Sequence, residues 1–212
     1  MIGDHVTPFI ASAYLKGIRG YDVQEAYRLM RQNAFELPAA GAYADGKGRR
    51  ALTSYLQYGY IPVEDSVPDA FHKKEQVSRT LEYAFDDHAL SLVAKALGKE
   101  EDHQRLAASA LNYRNVFDTS VGYVRGRYAN GDWHAPFEAD KRAFYITEGT
   151  PRQYTWYVPH QVEDLIRLKG GPAKFEAALD DMFRLKEYWH GNEPGHQVPF
   201  LYNFSPSVVA PP

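Results

Sequence analysis

The densest chemistry in this sequence is His190-Gly191-Asn192-Glu193-Pro194-Gly195-His196, with one carboxylate, one amide and two imidazoles in seven residues. Glycine and proline there call for a sharp backbone path. Adjacent Asn192 and Glu193 supply oxygen ligands of the kind hard Ca²⁺ takes. The two histidines lie six apart, not at the i, i+4 spacing of a helical zinc pair, so a zinc protease is poorly supported. The same residues would equally serve as a helix-entry turn, with Asn192 or Glu193 as the cap. A second grouping is Thr147-Glu148-Gly149, just ahead of Tyr154, Trp156 and Tyr157. A carboxyl group among apolar rings is kept protonated by desolvation, which suits a general acid. An ordinary surface glutamate is the plainer alternative.

Four further features carry charge or aromatic surface. Asp86 and Asp87 are neighbours in a helical stretch, so their side chains point about 100° apart and do not share a proton. One is expected to meet Arg79 or Lys95, or to cap a neighbouring loop. Gly46-Lys47-Gly48-Arg49-Arg50 has the look of a phosphate loop but lacks the Gly-Lys-Ser/Thr ending and a preceding apolar strand; a basic turn is the better reading. Asp180-Asp181 reads as a solvated face. Trp133 could stack on a sugar or plug a core with equal ease.

The whole chain bounds these options. It has 212 residues, 24 Lys plus Arg against 27 Asp plus Glu, and a formal net charge of -3. That balance argues against a nucleic-acid or anionic-membrane binder. Apolar residues make up 44% and the mean hydropathy is -0.50, values of a globular domain with a core. No stretch approaches the ~20 apolar residues of a spanning helix, and no basic-then-apolar leader follows Met1. Cysteine is absent, which removes thiolate chemistry and disulfides. Aromatics reach 14%, with 16 tyrosines, a composition that suits a core, an interface or a sugar cleft.

The elements that must position these residues are helical. Ser78, Leu81, Phe85, His88, Leu92 and Ala96 recur at helical spacing, and Gly98 sits where a left-handed C-cap belongs. A second helix starts near Glu101 and runs through Leu106, Ala110, Tyr113 and Phe117. Asp22 and Glu25 have capping-box spacing ahead of Ala26, Met30 and Ala34. Residues 5–16 form a helix with Val6, Ile10 and Ala13 inward. Val162 to Leu168 is stopped by Gly170-Gly171, and Pro172 opens a last helix with Phe175, Leu179 and Phe183 inward. Long loops are expected at 38–72, 118–158 and 186–200, with one short strand at 153–158 and a loose tail over 205–212.

Several blocks together resemble a known family. They are MIGDH at 1–5, DGKGRR at 45–50, YGYIP at 58–62, VSRTLEYAFDD at 77–87, TEG at 147–149, QYTWYVPH at 153–160, GGPAKF at 170–175 and HGNEPGHQVPFLYNF at 190–204. In that order they resemble the family 92 glycoside hydrolases, calcium-dependent exo-α-mannosidases, from residue 1 to residue 204.

The resemblance implies an all-α fold, part of an (α/α)6 barrel over residues 1–204. It implies an inverting mechanism on terminal α-linked mannose, with calcium gripping sugar hydroxyls. Glu148 would be the general acid, Asn192 and Glu193 the calcium ligands, and Trp133, His190 and His196 substrate contacts. The partners it implies are an α-mannoside glycan, an N-terminal β-sandwich and the rest of the barrel. Export to the periplasm or outside the cell is implied too. The family's general base lies in a Gly-Asn-x-Asp-Cys-Gly-Gln motif that this sequence does not contain. Loss of a base costs about 10²–10⁴-fold in rate, so negligible activity is expected of these residues alone. Thr150-Pro151-Arg152 replaces the commoner Asn-x-Trp after the Thr-Glu-Gly motif. Two rival readings remain: a non-catalytic mannose-binding or scaffold fragment, and another α/α-barrel carbohydrate enzyme such as a lyase.

Overall fold

The computed structural model describes residues 2–68 and 70–205. Of the tail expected to be loose, residues 206–212 lie outside the described residues, and Ser205 is fully buried.

Among the described residues nine α-helices follow one another: α1 (Val6–Leu15), α2 (Val23–Phe35), α3 (Ala40–Ala44), α4 (Leu52–Tyr58), α5 (Gln76–Ala96), α6 (Glu100–Ser109), α7 (Pro151–Tyr154), α8 (Val162–Leu168) and α9 (Pro172–Arg184). Strands β1 (Phe117–Asp118) and β2 (Tyr123–Val124) pair antiparallel, Phe117 opposite Val124. The fold among the described residues is all-α apart from this two-residue ladder. It corresponds to part of a helical barrel.

α5 is the spine. Its 21 residues are buried on nearly every side between Gln76 and Ala94, which a helix achieves only when other elements surround it. Against its C-terminal half pack α1, α2 and α6, through Tyr14, Tyr27, Met30, Leu90, Val93 and Leu106. Its N-terminal half contributes Val77, Leu81 and Ala84 to a second cluster that extends through Val124 of β2, Trp156 after α7, Leu165 of α8, and Phe175 and Leu179 of α9. A third cluster joins Tyr83 of α5 to Leu52, Tyr55 and Ile61, and Glu82 of the same stretch reaches the pocket.

Local signals explain most element ends. The Asp22 side chain accepts the Glu25 N–H at 3.0 Å and starts α2, while the Glu25 carboxylate turns to Arg28 instead of completing the box. Gly98 takes φ +70°, and Lys99 N–H reaches back to the Ala94 carbonyl at 2.9 Å, closing α5 with a left-handed cap. Gly170 and Gly171, at φ +90° and +105°, separate α8 from α9, and Pro172 opens α9.

Four expectations are corrected. The inward stripe of α1 is Thr7, Ala11 and Tyr14, and Val6 is more than half exposed. The helix from Glu101 does not run to Phe117; α6 ends at Ser109 and a 3-10 turn (Asn112–Val116) carries Tyr113 and Val116 inward. Within the loop expected at 38–72, α3 and α4 form. The strand expected at 153–158 is instead α7 and the turn after it. Thr150 and Gln153 form a complete capping box there, with Thr150 N–H on Gln153 Oε1 at 3.0 Å and Gln153 N–H on Thr150 Oγ1 at 3.2 Å. Tyr154, Thr155, Trp156 and Val158 are all buried, so this is a turn pressed into the core and not a strand with alternating faces.

Candidate active site

Glu148 sits at a corner held from both sides. Ahead of it, Tyr145 accepts the Val77 N–H at 3.0 Å, and Thr147 donates its N–H to Ser78 Oγ at 2.9 Å, which ties the segment to the start of α5. After it comes the Thr150–Gln153 box. Between the two, Glu148 takes φ +53°, a strained conformation for a residue with a side chain. Gly149 permits the path, since a Cβ there would lie 3.0 Å from Gln153 Oε1. The corner thrusts the Glu148 carboxylate outward. It is exposed, and no hydrogen bond or ion pair engages it among the described residues. The enclosure by apolar rings expected for it is not present, although rings line the pocket it enters.

The 190–196 segment folds as a 3-10 turn over Glu193–Gly195. Gly195 N–H bonds the Asn192 carbonyl and His196 N–H the Glu193 carbonyl, both at 3.0 Å. Asn192 stands at the N-cap but its side chain caps nothing, and among the described residues no hydrogen bond or ion pair engages the Asn192 amide or the Glu193 carboxylate.

Both segments open into one cavity of about 570 Å³, lined among others by Glu148, Asn192, Glu193, Glu82, Tyr154 and Tyr157. Trp133 is not on its wall. It is half-buried on the 127–133 bridge, with the Arg127 guanidinium 5.0 Å from its ring. His190 and His196 are exposed and stack on each other with ring centroids 4.6 Å apart; they build the turn and do not line the pocket.

Two pocket residues were not singled out by spacing. Glu82 of α5 is 2% exposed, yet its carboxylate is fully engaged: Oε1 accepts the Tyr154 hydroxyl at 2.8 Å and Oε2 pairs with His5 Nε2 at 3.1 Å. The hydrogen bond to Glu82 raises the His5 pKa above its ordinary value, against the opposing effect of burial. Burial first, and the Glu82 charge second, push the Tyr154 and Tyr157 hydroxyls well up. A carboxylate within an otherwise apolar helical stripe was the available signal.

Deeper on α5, the aspartate pair departs from expectation. Neither Arg79 nor Lys95 meets it. Asp87 accepts from Arg49 Nη1 at 2.6 Å, Tyr55 at 3.0 Å and Ser109 at 2.7 Å. Asp86 Oδ2 accepts the Asp4 N–H at 2.7 Å, which is the loop cap that was the alternative. Burial raises the Asp86 pKa to about 8, partly offset by the Arg49 charge. The 46–50 segment is a basic turn, as the sequence suggests, and a buried one: Arg49 is 2% and Arg50 6% exposed. Asp180 and Asp181 do lie toward solvent, beside Tyr202 and Arg184.

The fold has counterparts among known proteins. The family described as "Glycosyl hydrolase family 92 catalytic domain" matches residues 1–207, and the chain belongs to that family. Among solved structures, a family GH92 alpha-mannosidase from Bacteroides thetaiotaomicron is 37% identical with a TM-score of 0.83, over 96% of this chain and 26% of that one. A family GH92 inverting mannosidase from the same organism is 28% identical with a TM-score of 0.84, over 96% of this chain and 29% of that one. An uncharacterized secreted glycosidase of Arthroderma benhamiae is 30% identical, over 96% of this chain and 29% of the relative. The chain therefore spans less than a third of the length of these relatives.

Proposed function

We propose that this chain forms the acid- and metal-bearing part of a site that hydrolyses terminal α-linked mannose with inversion, assisted by calcium, in an exported enzyme. The observation that carries the reading is the meeting of Glu148 with Asn192 and Glu193 in one aromatic-lined cavity, from segments more than 40 residues apart. The inverting, mannose-directed chemistry is taken from the solved relatives, and export from the secreted one.

Glu148, exposed at the cavity mouth, is the group placed to protonate the leaving oxygen. The donor set fits calcium: an amide and a carboxylate oxygen with no protein partner, adjacent on a rigid turn. Among the described residues no three His, Asp or Glu side chains form a cage for a metal, so Asn192 and Glu193 would hold the ion with oxygens from water and sugar completing its shell. When bound, calcium supplies positive charge against the sugar hydroxyls and favours distortion of the ring. Tyr154 and Tyr157 offer flat faces to the sugar, and Glu82 fixes Tyr154 and His5 in the wall. Inversion also needs a carboxylate to activate water. The aspartate motif that provides it in the family is not in this sequence, so the chain alone binds mannose and turns it over negligibly.

Calorimetry with mannose, in calcium and in chelator, tests the reading alongside sugar release from an α-mannoside. Millimolar binding in calcium that disappears in chelator and in Glu193→Gln is expected. Absence of mannose binding in calcium contradicts it. Calcium-dependent mannose release that Glu148→Gln abolishes would show that the chain contains its own base.

A further inference from the structure

Glu148 stands between two hollows. Beside the mannoside pocket lies a groove of about 450 Å³, and the two meet at His72 and Glu148, which line both. Asn192 and Glu193 line only the pocket, whereas Lys73, Lys74, Arg142 and Phe144 line only the groove. Lys73, Lys74 and Arg142 are exposed, and among the described residues no hydrogen bond or ion pair engages their charged groups. Lys74 Nζ lies 4.9 Å from the centroid of the half-exposed Phe144 ring. Glu75, on the same turn as the lysines, is engaged elsewhere: Oε1 pairs with His72 Nδ1 at 3.1 Å and Oε2 is buried. Of the groove's lining residues this leaves Glu148 as the one carboxylate toward the three cations, in a chain whose net charge is -3.

The turn that carries the lysines is held firmly. Lys74 and Glu75 take φ +67° and +56°, the left-handed region that residues with a side chain avoid. Such strain persists only where the surroundings enforce it. Here Arg79 of α5, 1% exposed, bonds the carbonyls of His72 and Lys74 from within, and Glu75 N–H bonds the Phe144 carbonyl at 3.1 Å. Lys73 and Lys74 are thereby kept beside the 142–144 segment, on one groove with Arg142. Under the proposed function the mannose ring lies toward Asn192 and Glu193, and its leaving oxygen lies at Glu148. Whatever that oxygen is bonded to continues past Glu148, into the groove.

We propose that the leaving portion of the substrate, the aglycone, carries negative charge, received by Lys73, Lys74 and Arg142 while Phe144 offers it an apolar face. This rests on the mannoside reading of the adjoining pocket. Each exposed charge pair contributes little and is screened by salt, so the preference is moderate and salt-dependent. A carboxylate and a phosphate ester supply the same charge, and the experiment distinguishes them.

The test is binding to the chain, in calcium at about pH 7, of three phenyl α-mannosides that differ only in the para substituent: carboxylate, phosphate ester or neutral carboxamide. At low salt an anionic compound is expected to bind about 3–10-fold more tightly than the carboxamide, and in about 0.5 M salt the preference should all but vanish. A carboxylate that exceeds the phosphate ester assigns the aglycone to carboxylated sugars and the reverse to phosphorylated ones; either supports the proposal. Substituting Lys73→Gln and Arg142→Gln together should remove the preference, and Arg184→Gln on the exposed end of α9 should keep it. Equal binding of all three compounds, or a preference that survives the double substitution, overturns the proposal and leaves the mannoside reading standing. Should the double variant fail to fold, the wild-type salt series decides, and a preference that salt does not weaken overturns the proposal. If none of the three compounds binds, the mannoside reading itself fails and the proposal falls with it.

Discussion

Glu148, Asn192 and Glu193 enter the larger pocket on turns, with side chains that no protein group bonds, whereas Asp87 on α5 is gripped by Arg49, Tyr55 and Ser109. The two charged regions sit on either side of the segment at 2–5. Charges kept free at a rigid corner are available to a ligand and add little to stability. Charges bonded in the interior fix how the 2–5 segment and the 46–50 turn seat on α5, and so shape the pocket from behind. Under the proposed function, the turn-borne charges serve the ligand and the helix-borne charges the scaffold.

The largest effect that would break this division is Arg49→Leu. It leaves Asp87 buried without its counter-charge and is expected to cost about 3–5 kcal/mol, read by urea denaturation. A loss below about 1 kcal/mol would mean the interior cluster is not a scaffold. Next is the pH dependence set by Asp86. Its pKa is about 8 in the folded chain against an ordinary 3.8, so the folded state holds the proton more tightly. The stability it contributes is complete below about pH 4 and is lost as pH rises through 8. Asp86→Asn should flatten the fall in stability between pH 5 and 8; an unchanged slope would place the titration elsewhere. The raised His5 pKa acts in the same direction above 6.5. Smaller still, Thr150→Ala removes the capping box of α7 and is expected to cost about 1 kcal/mol, seen in the thermal midpoint. Smallest, Glu148→Gln should leave stability within about 0.5 kcal/mol, because the carboxylate is exposed and unbonded. A larger change would show that Glu148 belongs to the scaffold.

What could be read from the sequence follows the same line. The spine, its glycine stop and the proline start of α9 were legible because helical spacing and caps are local. Glu148 and Asn192-Glu193 were legible because sharp turns and the family blocks mark them. The strand at 153–158 misled because a run of aromatic and β-branched residues suits a strand, whereas here the capping box starts a helical turn that presses Tyr154, Thr155, Trp156 and Val158 into the core. The basic turn at 46–50 was legible but its burial was not, because that depends on Asp87 and Tyr43, at separations no local pattern records. His5 and Glu82 were missed for the same reason, their pairing spanning 77 residues. Trp133, His190 and His196 were legible as chemistry but stand off the wall, since only the folded turn decides which side chains face the cavity.

The most direct test of a single site shared by the two turns is the linkage between calcium and mannose, measured by titrating calcium with and without saturating mannose. If Asn192 and Glu193 hold an ion that touches the same sugar Glu148 faces, mannose tightens calcium and calcium tightens mannose by one common factor, expected at about 5-fold or more. Glu193→Gln should remove that factor. Calcium and mannose affinities that are independent of each other would contradict the account.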